Sequence, residues 1–206
     1  MNSTRSISTP AAALDDSGGG LRPALLGGAL FVVICGLIYP LVATVLGGLL
    51  FPHQAGGSLI ERDGRVVGSS LVAQPFADAR YFQPRPSAAN FDPKALSGSN
   101  LASSNPALRE RMAKDSATVA AREGVPARSI PPELISASGS GIDPHLSPQG
   151  AQVQVARVAQ ARGLAPEAVA ALVRSHTRHR TFGVLGEPRV NVLELNLALD
   201  AQGTKP

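Results

Sequence analysis

Residues Ala24 to Phe51 read ALLGGALFVVICGLIYPLVATVLGGLLF, 28 positions without one Asp, Glu, Lys, Arg, His, Asn or Gln. A bilayer core needs about 20 helical residues at about 1.5 Å each. A core helix of a soluble protein would show a polar face, and this run shows none, so its solvent on every side is lipid. Pro40 lies inside it without a backbone N–H, which predicts a kink just before Tyr39–Pro40. Small residues recur four apart at Ala24/Gly28, Ala43/Gly47 and Thr44/Gly48, a spacing that admits a neighbouring helix backbone. A cleaved signal peptide would have an apolar part of about 7–15 residues and an A-x-A-like site. The longer run here, followed by FPHQAGGS, reads as an uncleaved anchor.

The anchor divides the chain into a tail (1–21), a transmembrane helix (22–51) and a domain (52–206). The tail is Ser, Thr, Ala and Gly with Asp15–Asp16, too poor in apolar residues to pack, and reads as disordered. The domain is long enough for a core of its own. Residues 52–206 hold 17 Lys and Arg against 13 Asp and Glu, scattered rather than clustered. Nucleic-acid binding needs a basic patch, and none is present. The only cysteine, Cys35, is in the anchor, so the domain has neither a disulfide nor a thiolate metal site.

Pro52 to Gly57 reads as an exit linker. Ser58–Arg62 and Arg65–Val67 then flank Asp63–Gly64, the dipeptide suited to a two-residue hairpin turn. From Pro75 to Asn105 the chain is rich in Pro, Ser, Asn and aromatics, too long and polar for an idle connection. Asn105–Pro106 opens a helix with Leu108, Met112 and Val119 on one stripe, ending at Gly124. Glu133–Ala137 is a candidate short strand. Ser147–Pro148 caps a second helix through Val155, Val158 and Ala159 to Gly163. Pro166 opens a third, with Val169, Leu172, Val173 and His176 at helical spacing. In VNVLELNLAL, Leu193, Leu195, Leu197 and Leu199 alternate with other residues, the period of a half-buried strand. The predicted fold is a single-span membrane protein: one amino-terminal helix, then a mixed α/β domain with a small sheet and about three helices.

Three constellations bear on chemistry. Ser138-Gly139-Ser140-Gly141 exposes backbone N–H groups that could cradle a phosphate, but no Gly-Lys-Ser/Thr follows, so the alternative is a structural turn. Asp143, His145, His176 and His179 could converge on a metal, although His176 falls on an apolar stripe and His179 in a basic run. Ser138 or Ser140 with His145 and Asp143 could form a hydrolase triad, without the G-x-S-x-G elbow. An anchored extracytoplasmic hydrolase or binding domain is therefore the competing reading.

Several motifs in order carry a resemblance over about residues 22–200. They are Tyr39–Pro40 in the span, Gly68-Ser69-Ser70-Leu71-Val72-Ala73-Gln74, Tyr81–Phe82 with Arg85-Pro86-Ser87, and Ser97-Gly98-Ser99-Asn100-Leu101 with Ser104-Asn105-Pro106. The most specific are Ser138 to His145 (SGSGIDPH) and Gly186 to Val192 (GEPRVNV). In these the chain resembles the C-subunit family of the Kdp-type potassium-transporting ATPases, with Ala73 and Ser136 where that family usually has Gly and Thr.

The resemblance implies a non-catalytic subunit of an inner-membrane pump. Its implied partners are a channel-like potassium-selecting subunit, a P-type subunit that hydrolyses ATP and a small single-span subunit. It also implies a role in assembly and as a catalytic chaperone that raises the hydrolysing subunit's affinity for ATP, with the amino terminus cytoplasmic and the domain periplasmic. ATP would then act through the complex, and no cofactor is held firmly by this chain. The residues expected to meet partners are Tyr39, Pro40, Tyr81, Arg85, Asn100, Asn105, Asp143, His145, Glu187 and Arg189. Consistent with a non-catalytic role, the chain lacks a D-K-T-G phosphorylation motif and a Walker loop.

Overall fold

The computed structural model describes residues 20–203, so the disordered-tail expectation for 1–21 lies almost wholly outside the described residues. The chain divides between Ala55 and Gly56 into two units. In the first, α1 (Leu21–Val33) passes through a π-helical stretch, Ile34–Ile38, into α2 (Tyr39–Leu50). Side chains are exposed along its length, and the 30 residues are enough to cross a membrane. At about 1.5 Å per residue the helix exceeds the roughly 30 Å hydrocarbon core. The widened turn falls just before Pro40, where the kink was expected. Pro40 has no N–H for the Gly36 carbonyl, and Tyr39 N–H donates five residues back to Ile34. The ladder thus shifts its register ahead of the proline. Placing Arg at Val33 is expected to cost about 2.5–3.5 kcal/mol of insertion. An insertion assay that scores the variant like the parent would contradict a membrane-spanning role for this helix.

A short helix, α3 (Pro52–Ala55), stands where an irregular linker was expected. The second unit opens with the predicted hairpin, β1 (Leu59–Arg62) and β2 (Arg65–Ser69). Asp63 and Gly64 both take positive φ, 52° and 72°, the conformation the turn requires. The polar stretch up to Asn105 has no helix or strand and wraps the domain. Next comes α4 (Pro106–Glu123), capped where Ala107 N–H donates to Asn105 Oδ1 at 3.0 Å and stopped by Gly124 at φ 67°. The supposed strand at Glu133–Ala137 is instead a 3₁₀ turn, Pro132–Leu134. Two prolines there cannot donate to a ladder.

The remaining elements are β3 (His145–Leu146), α5 (Pro148–Gln152), α6 (Val155–Arg162), α7 (Pro166–Ser175), β4 (Thr177–Arg178), β5 (Arg189–Asn191) and α8 (Val192–Gly203). The second predicted helix is thus two, broken at Val153–Gln154. The strands form one small antiparallel sheet in the order β3-β5-β4.

The closing segment corrects the sequence reading. Only Arg189–Asn191 is strand, and VLELNLAL is helix. Alternating leucines also stand four apart, so Leu195 and Leu199 fall on one helical face with Val192 and Asn196, and all four are buried. Leu, Ala and Glu favour helix, and within α8 no β-branched residue follows Val192. Glu194 N–H donates to Asn191 Oδ1 at 3.1 Å, the N-cap bond that starts the turn. The core of the unit is Phe82, Leu134, Leu146, Val155, Val158, Val169, Val173 and Val190 with that face of α8.

Candidate functional site

The wrap and the Ser138–His145 loop are built on each other. Ser138 N–H donates to the Pro86 carbonyl at 2.9 Å, and Ala73 N–H to that of Ile142 at 2.8 Å. Ser87 Oγ donates to the Gly141 carbonyl at 2.6 Å. Gly141 has φ 78°, and a Cβ there would lie 2.7 Å from both Ala89 Cβ and Ser97 O, so only glycine fits. Within the loop, buried Ser138 accepts on Oγ from the N–H groups of Gly141, at 3.2 Å, and Asp143, at 3.4 Å. Ser140 Oγ accepts from Ile142 N–H at 3.2 Å. The loop's own hydroxyls therefore hold three of the amides that a phosphate cradle would use.

Beside it lies a cleft of about 210 Å³ that gathers Arg85, Asp143, His145, Glu187 and Arg189, five of the expected residues, with Glu133 and Ser147. Arg85 Nη1 donates to Asp143 Oδ2 at 3.0 Å. Asp143 Oδ1 accepts the backbone N–H of His145 at 3.1 Å and faces its ring Nδ1 at 3.4 Å. Ser147 caps α5 and hydrogen-bonds Glu133. Among the described residues neither Ser138 nor Ser140 hydrogen-bonds the His145 ring. No group of three or more metal-ligating side chains converges among them either.

Burial alone would raise the pKa of Asp143. The hydrogen bonds from the His145 side chain and backbone, then the bond and charge of Arg85, outweigh it and hold the carboxyl below the usual carboxylate range. A depressed folded value stabilises the fold above the unfolded value of about 4 and is lost as pH falls through the folded one. Asp143→Asn is therefore expected to flatten the acid limb of stability against pH, read as denaturation midpoints between about pH 5 and pH 2. An acid limb as steep as the parent's would show that Asp143 contributes nothing to it.

The other expected residues lie elsewhere. Tyr81 donates its hydroxyl to Asp200 at 3.2 Å, and the Arg162 guanidinium stands 4.9 Å from its ring centroid. Asn105 is the α4 cap. Asn100 is exposed at φ 49°, and Tyr39 and Pro40 belong to the apolar helix. Glu187, at the cleft, is exposed and takes Arg180 Nη2 on both oxygens at 2.7 Å.

The sequence reading missed the buried polar groups that hold the wrap. Phe82 N–H donates to Asn196 Oδ1 at 2.9 Å, and Asn196 Nδ2 donates back to the Phe82 carbonyl at 3.0 Å. Gln154 does the same for Gln83, at 2.8 and 3.1 Å. Two side-chain amides thus replace the missing strand partner of residues 82–83. Their signal was available, because Asn196 sits among the leucines of α8 and Gln154 between Val153 and Val155, where a polar side chain needs a partner.

The family model described as K+-transporting ATPase, c chain, matches residues 21–201, both units together. The chain belongs to the KdpC family. It is 60% identical over 176 residues to the potassium-transporting ATPase KdpC subunit of Xanthomonas campestris pv. campestris, covering 85% of this chain and 84% of that one. The protein of the same name from Shewanella putrefaciens is 54% identical over 181 residues, 88% and 89% of the two chains. That of Citrifermentans bemidjiense is 50% identical over 184 residues, 87% and 96%. The KdpC-family chain thus carries the cleft above as a hydrogen-bonded surface. Neither serine is poised as a nucleophile.

Proposed function

We propose that this chain is the accessory C subunit of an ATP-driven potassium uptake complex in a bacterial inner membrane. In this reading it stabilises assembly with the channel-like, P-type and small single-span subunits. The observation that carries it is one match of the KdpC model spanning both the apolar helix and the domain. The helix supplies a lipid-embedded face for partner helices, and the domain supplies a surface of Arg85, Asp143, His145, Glu187 and Arg189, with Asn100 exposed on the wrap.

The finer role, raising the hydrolysing subunit's affinity for ATP, fits an indirect route. Three amides of the Ser138–Gly141 turn and its neighbours are engaged by serine hydroxyls, which disfavours a phosphate cradle. An effect on ATP then comes from binding one conformation of the pump better than another. With the amino terminus cytoplasmic the domain faces the periplasm, away from cytoplasmic ATP.

Tagged chain from native membranes is expected to bring down two large membrane proteins with potassium-stimulated ATPase activity, and its removal is expected to raise the apparent KM for ATP. Purification as a lone monomer would overturn the assembly role. Protease added to spheroplasts is expected to reach the domain. Protection there, with digestion in inverted vesicles, would reverse the topology and reopen direct contact with ATP.

A further inference from the structure

The most exposed large apolar side chains of the second unit share one loop. Phe182 is 89% exposed, Val184 71% and Leu185 60%. They form the tip between β4 and β5, and the turn is closed by its own backbone. Thr181 and Leu185 exchange hydrogen bonds at 2.8 and 3.0 Å, and Gly183 N–H donates to Arg180 O at 3.1 Å. Phe182 takes φ 55°, a left-handed conformation that costs an aromatic residue free energy. A closed turn that tolerates strain to hold a phenylalanine in water presents it, already shaped, to something else.

The base of the loop joins the tip to the cleft. Arg180 meets Glu187 across it at 2.7 Å. Glu187 and Pro188 line the cleft of Arg85, Asp143 and His145, and with Arg180 they also line a neighbouring hollow of about 360 Å³ over Ser147 to Gln149. Tip, cleft and hollow are therefore one continuous face. An apolar centre beside a hydrogen-bonded, charged margin is the anatomy of a protein interface, with an aromatic residue as its anchor. Charge narrows the partner. Arg174, Arg178, Arg180 and Arg189 stand in this part of the chain against Glu187 and Glu194, which favours an acidic surface. The Glu187 side chain is 78% exposed at the loop base. Anionic headgroups would repel that carboxylate, whereas a protein rim can offer it a donor. A second copy fits poorly, because its widest apolar hollow, by Phe76, Phe91, Val119 and Leu134, carries Arg85 and Arg122 against Asp115 alone.

We infer that the Thr181–Leu185 loop is a plug that seats Phe182, Val184 and Leu185 in an apolar socket, rimmed by carboxylates, on another subunit of the complex. This rests on the assembly role proposed above and names its anchor: the tip supplies the apolar contact, and the cleft beside it supplies the polar margin.

Phe182→Gly removes the anchor and suits the turn, since glycine takes φ 55° without strain. The denaturation midpoint of the full chain in detergent is therefore expected at or above the parent's. Recovery of the other subunits with the tagged variant from native membranes is expected to fall about tenfold or more, as for an interface hot spot. A parent chain that brings down no subunit overturns the assembly role and the plug together. A parent that does so while Phe182→Gly matches it overturns the plug alone. A midpoint that falls in step with recovery assigns Phe182 to the fold and also overturns it. In the assembled complex, a photo-crosslinking benzoylphenylalanine at position 182 is expected to label an apolar segment of another subunit that carries Asp or Glu. Labelling of lipid or of this chain alone, of a segment without an acid, or of no neighbour at all would refute the proposal.

Discussion

Arg157→Ala is expected to destabilise the soluble unit by about 3–5 kcal/mol, the range for removing one partner of a buried ion pair. The side chain of Glu123, at the end of α4, is fully buried. Arg157 Nε reaches its Oε2 at 2.8 Å. The same guanidinium donates to the carbonyls of Ala79, at 2.6 Å, and Tyr81, at 3.0 Å, and to Gln154 Oε1, at 2.9 Å. One side chain thus neutralises a buried carboxylate and fastens the start of the wrap to α6. Arg122, about a third exposed, also meets Glu123 at 2.6 Å. Against a typical stability of 5–15 kcal/mol the loss is large. Circular-dichroism denaturation of the full chain in detergent measures it. Adding Glu123→Leu to Arg157→Met is expected to recover much of the loss, because the uncompensated charge is gone. A single variant that unfolds within about 1 kcal/mol of the parent would show that Glu123 is satisfied without Arg157.

Asn196→Leu removes the other clamp. It keeps roughly the same volume on α8 but leaves the N–H and C=O of Phe82 without their partner in the core. Each buried, unsatisfied backbone group costs about 1–3 kcal/mol, so about 2–6 kcal/mol is expected for the pair. Phe82, itself fully buried, would lose its backbone tether. The wrap is therefore expected to open first, and hydrogen exchange at Phe82 and Gln83 reads that directly. Asn196→Asp separates the causes: it keeps the acceptor for Phe82 N–H and loses the donor to its carbonyl. If Asn196→Leu is as stable as the parent, the amide serves no structural end and the clamp is misread.

These effects fall where sequence reasoning was weakest. The anchor, the Asp63–Gly64 hairpin, the Asn105 and Ser147 caps and the Gly124 and Gly163 stops were all legible, because each depends on residues within a few positions. Of the candidate site, Arg85, Asp143, His145, Glu187 and Arg189 could be singled out from motifs, but not their convergence on one cleft with Glu133. The misread α8 has the same origin. Alternating leucines satisfy both a strand face and an i, i+4 helical stripe, and only the elements packed around Val192, Leu195, Asn196 and Leu199 select between them.

The sequence by itself determined that a helix long and apolar enough to span a bilayer precedes a domain of helices and short strands. It did so because lipid solvation, tight turns and helix caps are imposed by local chemistry. Only the tertiary structure decided how thirty irregular residues are held in place. Backbone groups between Ala79 and Gln83 find no strand partner nearby and are satisfied by Asn196, Gln154 and Arg157, 71 to 114 positions away. No local pattern encodes those pairings, because a buried amide or guanidinium is chosen by the group it must satisfy, and that group is known only once the chain has folded.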